Sequence, residues 1–126
     1  MGSSICAGFP SPADDYLEEA LDAAALIVTN PTATFIWRVA GDSMRDRKIH
    51  TDDYVVVDRS LKAVPGDVVV AVIDDTVSLK QLVRRGGSTA LDVANSDMAP
   101  LVLDEAAQAS IWGVVTWSLT RHRELR

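Results

Sequence analysis

The sequence contains one cysteine, Cys6, which excludes an internal disulfide and is typical of a protein in a reducing cytoplasm. It also has no long apolar run, because the run Ala23–Val28 is far too short to span a bilayer. The N-terminus lacks a basic segment followed by a long apolar stretch, the pattern of a signal peptide. We therefore expect a cytoplasmic protein without a membrane anchor.

Basic residues are scarce relative to acidic ones. Twelve Lys and Arg stand against eighteen Asp and Glu, which gives a net charge of −6 at pH 7. Phosphate backbones bind mainly to Lys and Arg, so we expect no direct binding of nucleic acid. The sequence also has no glycine-rich phosphate loop and no Cys/His metal pattern, so we expect no cofactor and no metal.

What the sequence has is apolar content and β-strand patterning. Hydrophobic residues make up 48% of the 126 residues, which suits a single compact domain with its own core. Short runs rich in β-branched and aromatic residues predict six strands: Thr34–Val39, Tyr54–Asp58, Asp67–Ile73, Thr76–Val83, Thr89–Val93 and Ile111–Leu119. The continuously apolar segments Tyr54–Val57 and Val68–Val72 predict strands covered on both faces.

The N-terminal region predicts an extended arm, residues 1–12, before a domain of residues 13–126. Pro10 and Pro12 disfavour regular helix in the arm. Ser11 is a candidate cap for a helix that follows, and Asp22 is an equally good cap for a shorter helix over Ala23–Val28. The pattern fits one helix or two. The expected fold class is mostly β: a single compact domain of short twisted strands with a short N-terminal helix.

A serine follows the first predicted strand, within Gly41-Asp42-Ser43-Met44. A serine beside a glycine just past a strand can project its hydroxyl into a cleft. If a helical turn begins at Ser43, the free backbone N–H groups there can stabilise an oxyanion. The alternative is that Ser43 only caps a turn over Met44–Arg47. The tetrapeptide alone does not decide between them.

A lysine lies within the apolar strand that begins at Thr76. The chain has three lysines, and Lys80 is the one within a predicted strand, between Leu79 and Gln81-Leu82. A strand lysine ordinarily extends its amine to solvent. To act as a base for a serine the amine must be neutral, so its pKa of about 10.4 must fall by several units. Desolvation among valines and leucines has that effect.

With these motifs the chain resembles the LexA/UmuD family of self-cleaving serine peptidases. The serine motif matches the family's nucleophile motif, Leu79-Lys80-Gln81-Leu82 matches its general-base strand, and the 37-residue separation of Ser43 from Lys80 is the family's spacing. Three further segments resemble the family: Gly8–Ala13, just after its cleavage point; Ala94-Asn95-Ser96; and Gly113–Val115, its final strand.

The resemblance implies an autoproteolytic serine endopeptidase of the fold described above. Ser43 would be the nucleophile and Lys80 the general base, while the backbone N–H groups of Asp42 and Ser43 would form the oxyanion hole. The scissile bond would be Ala7–Gly8. Glycine suits that position because it has no Cβ to clash in a narrow cleft.

The resemblance also implies partners. Cleavage would be stimulated by the RecA filament on single-stranded DNA in the SOS response. The cleaved homodimer would then support error-prone translesion synthesis with a UmuC-type DNA polymerase. Two alternatives remain: the C-terminal self-cleaving domain of a LexA-like or phage repressor, and a non-catalytic interaction module. The first is disfavoured because no helix-turn-helix precedes the arm in this sequence.

Overall fold

The protein is an open antiparallel sheet in a computed structural model that describes residues 7–8, 22–97 and 111–124. Its strands are β1 (Thr34–Arg38), β2 (Tyr54–Asp58), β3 (Val68–Ile73), β4 (Thr76–Arg85), β5 (Ser88–Asp92) and β6 (Ile111–Leu119). They lie side by side in the order β1-β2-β6-β3-β4-β5. The predicted mostly β class is confirmed. Within the described ranges no helix is long and apolar enough to cross a membrane.

Strand positions agree with the prediction, and the differences are at strand ends. β4 runs two residues beyond the predicted Val83, because Arg85 pairs with Ser88 across a two-residue turn. That turn, Gly86-Gly87, has φ of 55° and 86°, and the β3–β4 turn Asp74-Asp75 has φ of 49° and 62°. Positive φ at both central residues is the geometry that matches the twist of paired strands.

A single helical turn precedes the sheet in the described chain. α1 spans Ala23–Ile27, and the Asp22 carboxylate accepts a hydrogen bond of 3.0 Å from the Ala24 N–H, as the capping prediction for Asp22 required. The predicted helix after Ser11 lies outside the described residues. So does the arm, apart from Ala7 and Gly8.

Apolar side chains cover both faces of the central strands. In β3, Val68 and Val70 belong to one buried cluster and Val69 and Ala71 to the other. The first cluster continues through Val39, Met44, Ile49, Val55, Val57 and Ala94, and the second through Leu82, Leu91 and Val114. The prediction of strands covered on both faces is therefore confirmed for β3. In β2 it is wrong at Tyr54, which is 39% exposed.

Candidate active site

The turn that carries Ser43 is anchored in the core by the next residue. After β1 the chain reverses at Gly41, where φ is 98°, and Met44 is then buried at 1% exposure in the first cluster. A 3₁₀ turn follows at Arg45–Arg47, and its N-cap residue is Met44, with no side-chain capping bond. The helical turn therefore begins after Ser43, and the interpretation of Ser43 as its cap is wrong. Ser43 itself is half-buried.

Ser43 lies on the wall of a cavity of about 220 Å³. The wall is formed mainly by apolar side chains of β1–β4 and by the turn after β1: Trp37, Val39, Ala40, Gly41, Met44, Val55, Val70, Val77 and Leu79. Such a cavity beside a hydroxyl can receive a small apolar segment of polypeptide. Hydroxyl and cavity together are the arrangement that a peptidase needs at its nucleophile.

The peptide groups around Ser43 differ in their hydrogen bonding: two carbonyls accept hydrogen bonds, and two N–H groups have no acceptor among the described residues. Within the described part of the chain, the N–H groups of Asp42 and Ser43 donate to no protein acceptor. The Asp42 carbonyl accepts from Asn95 Nδ2 at 2.6 Å and from Arg45 N at 3.2 Å. The Ser43 carbonyl accepts from Ala94 N at 2.8 Å. Fixed carbonyls and free N–H groups are the geometry that can stabilise an oxyanion.

Lys80 is buried in β4, where it is 7% exposed. The strand register places it opposite Val69, and alternation along β4 puts it on the same face as Leu82; both neighbours are fully buried. Burial lowers the pKa of the Lys80 amine from its ordinary value of 10.5, because desolvation disfavours the charged form. The expected apolar environment of this lysine is therefore present.

No hydrogen bond joins Ser43 to Lys80 in the described part of the chain. The Lys80 amine donates a long bond of 3.4 Å to the Leu79 carbonyl, and within the described residues it makes no hydrogen bond to Ser43. Leu79 lines the cavity together with Ser43, whereas Lys80 is not among the described residues of that wall. The predicted hydrogen bond between the Ser43 hydroxyl and the Lys80 amine is therefore absent from the described structure.

The turn of Ser43 lies against the side of β4 that β5 leaves uncovered. The β4–β5 ladder ends at the pair Gln81–Asp92, so the β4 residues before Gln81 have no partner in β5. Beyond that point the chain stays close to β4, since Gln81 Nε2 donates to the Val93 carbonyl at 3.1 Å. The next residue, Ala94, bonds Ser43. Residues 93–94 thus connect the turn of Ser43 to the strand of Lys80.

The direction of the Lys80 amine follows from the same ladder. The Leu82 N–H donates to the Asp67 carbonyl on the β3 side of β4. Peptide groups alternate sides along a strand, so the Leu79 carbonyl points to the opposite side, where β5 has ended. The Lys80 amine bonds that carbonyl. It therefore lies on the β5 side of β4, one residue before Gln81, at which the ladder with β5 ends.

Ala7 and Gly8 are exposed and lie outside this cavity. Both residues form a bend, and a Cβ built on Gly8 would meet no atom within 4 Å. Neither is among the described residues that line the cavity. The structure therefore does not bring the predicted scissile bond to Ser43.

Two polar residues at the site were assigned no role from the sequence, Gln81 and Asn95. The Gln81 side chain donates a hydrogen bond to the Val93 carbonyl. Asn95, which is 6% exposed, donates one to the Asp42 carbonyl. The available signal was the position of each residue inside a motif that resembles the family. Their hydrogen-bond partners could not be predicted from the sequence, because they lie 12 and 53 residues away along the chain.

In the described ranges no group of three His, Cys, Asp or Glu side chains is arranged to hold a metal.

Comparison with known proteins decides the family. The Peptidase S24-like family model matches residues 1–116, a span that contains Ser43, Lys80 and the Ala7–Gly8 bond. The chain belongs to the Peptidase S24-like family. The predicted membership of the LexA/UmuD family is thereby confirmed, and with it, at the level of the family, a self-cleaving serine peptidase.

Individual S24 relatives fall into two groups. The chain is 42% identical to Protein MucA of Salmonella typhimurium over 119 residues, which are 94% of this chain and 81% of MucA. It is 40% identical to Protein ImpA of Escherichia coli over 120 residues, 95% of this chain and 81% of ImpA. It is 39% identical to the LexA repressor of Azoarcus sp. (strain BH72) over 105 residues, 83% of this chain and 52% of that repressor. MucA and ImpA are UmuD-like members of the family.

Proposed function

We propose that this protein cleaves itself at Ala7–Gly8, with Ser43 as nucleophile and Lys80 as general base, and that the product acts in SOS mutagenesis. The observation that carries the proposal is the buried Lys80 amine, whose pKa is lowered and which precedes Gln81, the residue through which β4 is linked to the Ser43 turn. A buried amine of this kind is the base that an isolated serine requires. Membership of the S24 family supports the same reading.

The first half of the reaction forms an ester. The arm enters the cavity and places the Ala7 carbonyl carbon against Ser43 Oγ, while neutral Lys80 exchanges its long bond to Leu79 for the hydroxyl. Contacts between catalytic groups commonly tighten only when the substrate binds. Lys80 takes the hydroxyl proton as Oγ bonds the carbonyl carbon, and the oxyanion is held by the N–H groups of Asp42 and Ser43.

The second half releases the two products. As the carbonyl re-forms, the bond from Ala7 to the Gly8 nitrogen breaks, and the Lys80 ammonium returns its proton to that nitrogen. Ser43 now carries residues 1–7 as an ester. Lys80, neutral again, deprotonates a water that attacks the ester, and the released Ser43 oxygen recovers the proton. The products are residues 1–7 and a chain that begins at Gly8.

The proposed biological role rests on the UmuD-like relatives. Cleavage is stimulated by the RecA filament on single-stranded DNA, and the cleaved homodimer supports error-prone translesion synthesis with a UmuC-type DNA polymerase. The matches to MucA and ImpA, at 42% and 40% identity, support this role because both are UmuD-like.

The test is self-cleavage of the purified protein at alkaline pH, followed by intact-mass spectrometry. We expect a product that lacks residues 1–7 and accumulates with first-order kinetics. Ser43→Ala and Lys80→Ala should abolish it, and Lys62→Ala is the matched control because Lys62 is an exposed lysine outside the site. Continued cleavage in either site variant would reject that residue's role. An uncut wild-type chain across the alkaline range would favour a non-catalytic interaction module.

A further inference from the structure

We infer that Asn95 is a positioning residue that fixes the direction of the Ser43 N–H and thereby builds the oxyanion hole. The inference rests on the proposed function and adds to it a residue outside the Ser–Lys pair. It begins from an observation about the Asn95 carboxamide, which is buried and yet bonded at both of its polar atoms.

Each atom of the Asn95 carboxamide has a partner of the complementary kind. Its Nδ2 donates to the Asp42 carbonyl at 2.6 Å. Its Oδ1 accepts from Arg45 Nη2 at 3.1 Å and from the Asp97 N–H at 2.9 Å. Arg45 also forms an ion pair with the Asp97 carboxylate. Only one orientation of the carboxamide satisfies all these contacts, so the Nδ2 donor is held in a fixed place.

The bond to Asp42 controls Ser43 through the geometry of the peptide unit. The Asp42 carbonyl and the Ser43 N–H belong to the same planar trans peptide, so they point in opposite directions. Anchoring the carbonyl on one side therefore aims the N–H at the other. The hydrogen bond also polarises the peptide and makes its N–H a better donor. Ala94 fixes the next peptide through the Ser43 carbonyl, so the turn is held at two consecutive units.

An isosteric substitution isolates this one contact. Asn95→Asp keeps an oxygen for Arg45 and for the Asp97 N–H, but it turns the donor toward Asp42 into a second acceptor. We expect its self-cleavage rate constant to fall on the order of 10- to 100-fold, below the 10²- to 10³-fold loss on removing an oxyanion donor outright. In Asn95→Ala, which adds no charge, the pH at half-maximal rate should stay unchanged, because Lys80 is untouched. Asp97→Asn removes the ion pair with Arg45 but leaves the bond to Asp42, so its rate should stay within about twofold of wild type.

A spectroscopic readout tests positioning without cleavage. Asp42–Ser43 is the one Asp–Ser pair in the sequence. Carbonyl-¹³C aspartate with ¹⁵N serine therefore gives a single HNCO signal, that of the Ser43 amide. In a Lys80→Ala background, which keeps the arm uncut, Asn95→Ala should shift this signal and Asp97→Asn should leave it in place. Asn95→Ala also replaces Asn95→Asp in the rate experiment if the latter does not fold.

The outcomes separate this inference from the proposed function. A wild-type chain that does not cut itself rejects the function, while the Ser43 signal still reports whether Asn95 holds that peptide. A wild-type rate in the Asn95 variants, or an unmoved Ser43 signal in Asn95→Ala, overturns the inference and leaves the Ser–Lys assignment intact. A lowered rate of Asn95→Ala that moves together with the pH midpoint also overturns it, because that result places the effect at Lys80.

Discussion

At the scale of single residues, Lys80 is the most unusual feature of the molecule. Lysines are seldom buried without a charged partner, because desolvating an ammonium is costly. Here the residue is 7% exposed, and the one bond that its amine makes in the described structure is a long contact with a neutral carbonyl. An arrangement that gives up stability in this way is typical of a functional site, where a perturbed pKa serves the chemistry.

The rate of self-cleavage should rise with pH and report the Lys80 pKa. Only the neutral amine can take the Ser43 proton, so the rate follows the deprotonated fraction. Because burial lowers the pKa of Lys80, half of the maximal rate should be reached below pH 10.5. The rate at each pH is measured by intact-mass spectrometry of samples quenched at successive times. A rate without pH dependence through this range would contradict Lys80 as the base.

Because its pKa is lowered, Lys80 should reduce the free energy of unfolding by an amount that depends on pH. Below the folded-state pKa, Lys80→Met should be more stable than wild type by about 1.4 kcal/mol for each pH unit between that pKa and 10.5. The unfolded chain binds the extra proton in this window, so the wild type gains stability as pH rises and the difference closes near pH 10.5. Urea titrations at several pH values measure it. Lys62→Met, at an exposed position, should change stability by at most about 0.5 kcal/mol at every pH.

At the scale of elements, the sequence predicts where the strands lie along the chain, but it does not predict which strands pair or in which register. β2 and β6 have the predicted bounds because β-branched runs are bounded by turn residues. The ends of β4 and β5 differ, since they depend on how the hairpin ladder pairs around Gly86-Gly87. The open edge of β4 beside Ser43 was not predictable for the same reason. It exists because pairing with β5 stops at Gln81, and that register is set by tertiary contacts.

β6 lies between β2 and β3, and at one of its positions, Gly113, a side chain would be crowded by a neighbour. Gly113 is buried opposite Val70, and a Cβ built there would lie 2.7 Å from Val57 Cγ1. Gly113→Ala should therefore lower the free energy of unfolding by roughly 1–3 kcal/mol, the usual cost of overpacking. Urea denaturation measures this. Ser118→Ala, at an exposed position of the same strand, is the control and should stay within about 0.5 kcal/mol; equal stability of the two variants would contradict the packing argument.

At the scale of the whole molecule, one face of the sheet carries exposed apolar side chains across three strands. Ile36 of β1 is 55% exposed, and Trp117 of β6 is 43% exposed; the register aligns both with Val56 of β2. Tyr54 and Leu119 pair with each other two residues further along and are 39% and 38% exposed. Several exposed apolar side chains at neighbouring positions on one face are typical of a protein–protein interface.

The proposed homodimer should bury this face, and a charge placed in it should weaken the dimer. Trp117→Glu removes a large aromatic anchor and sets two carboxylates into a self-complementary interface, where each would lose its hydration. We expect the dimer dissociation constant, measured by sedimentation velocity over a concentration series, to rise at least tenfold. Ser118→Glu adds the same charge one residue away on the opposite face of β6 and should leave the constant unchanged.

If both variants dimerise like wild type, another surface forms the dimer. A monomeric wild type at every concentration would remove the homodimer from the proposed function, while self-cleavage, which is measured separately, would still stand or fall on Ser43 and Lys80.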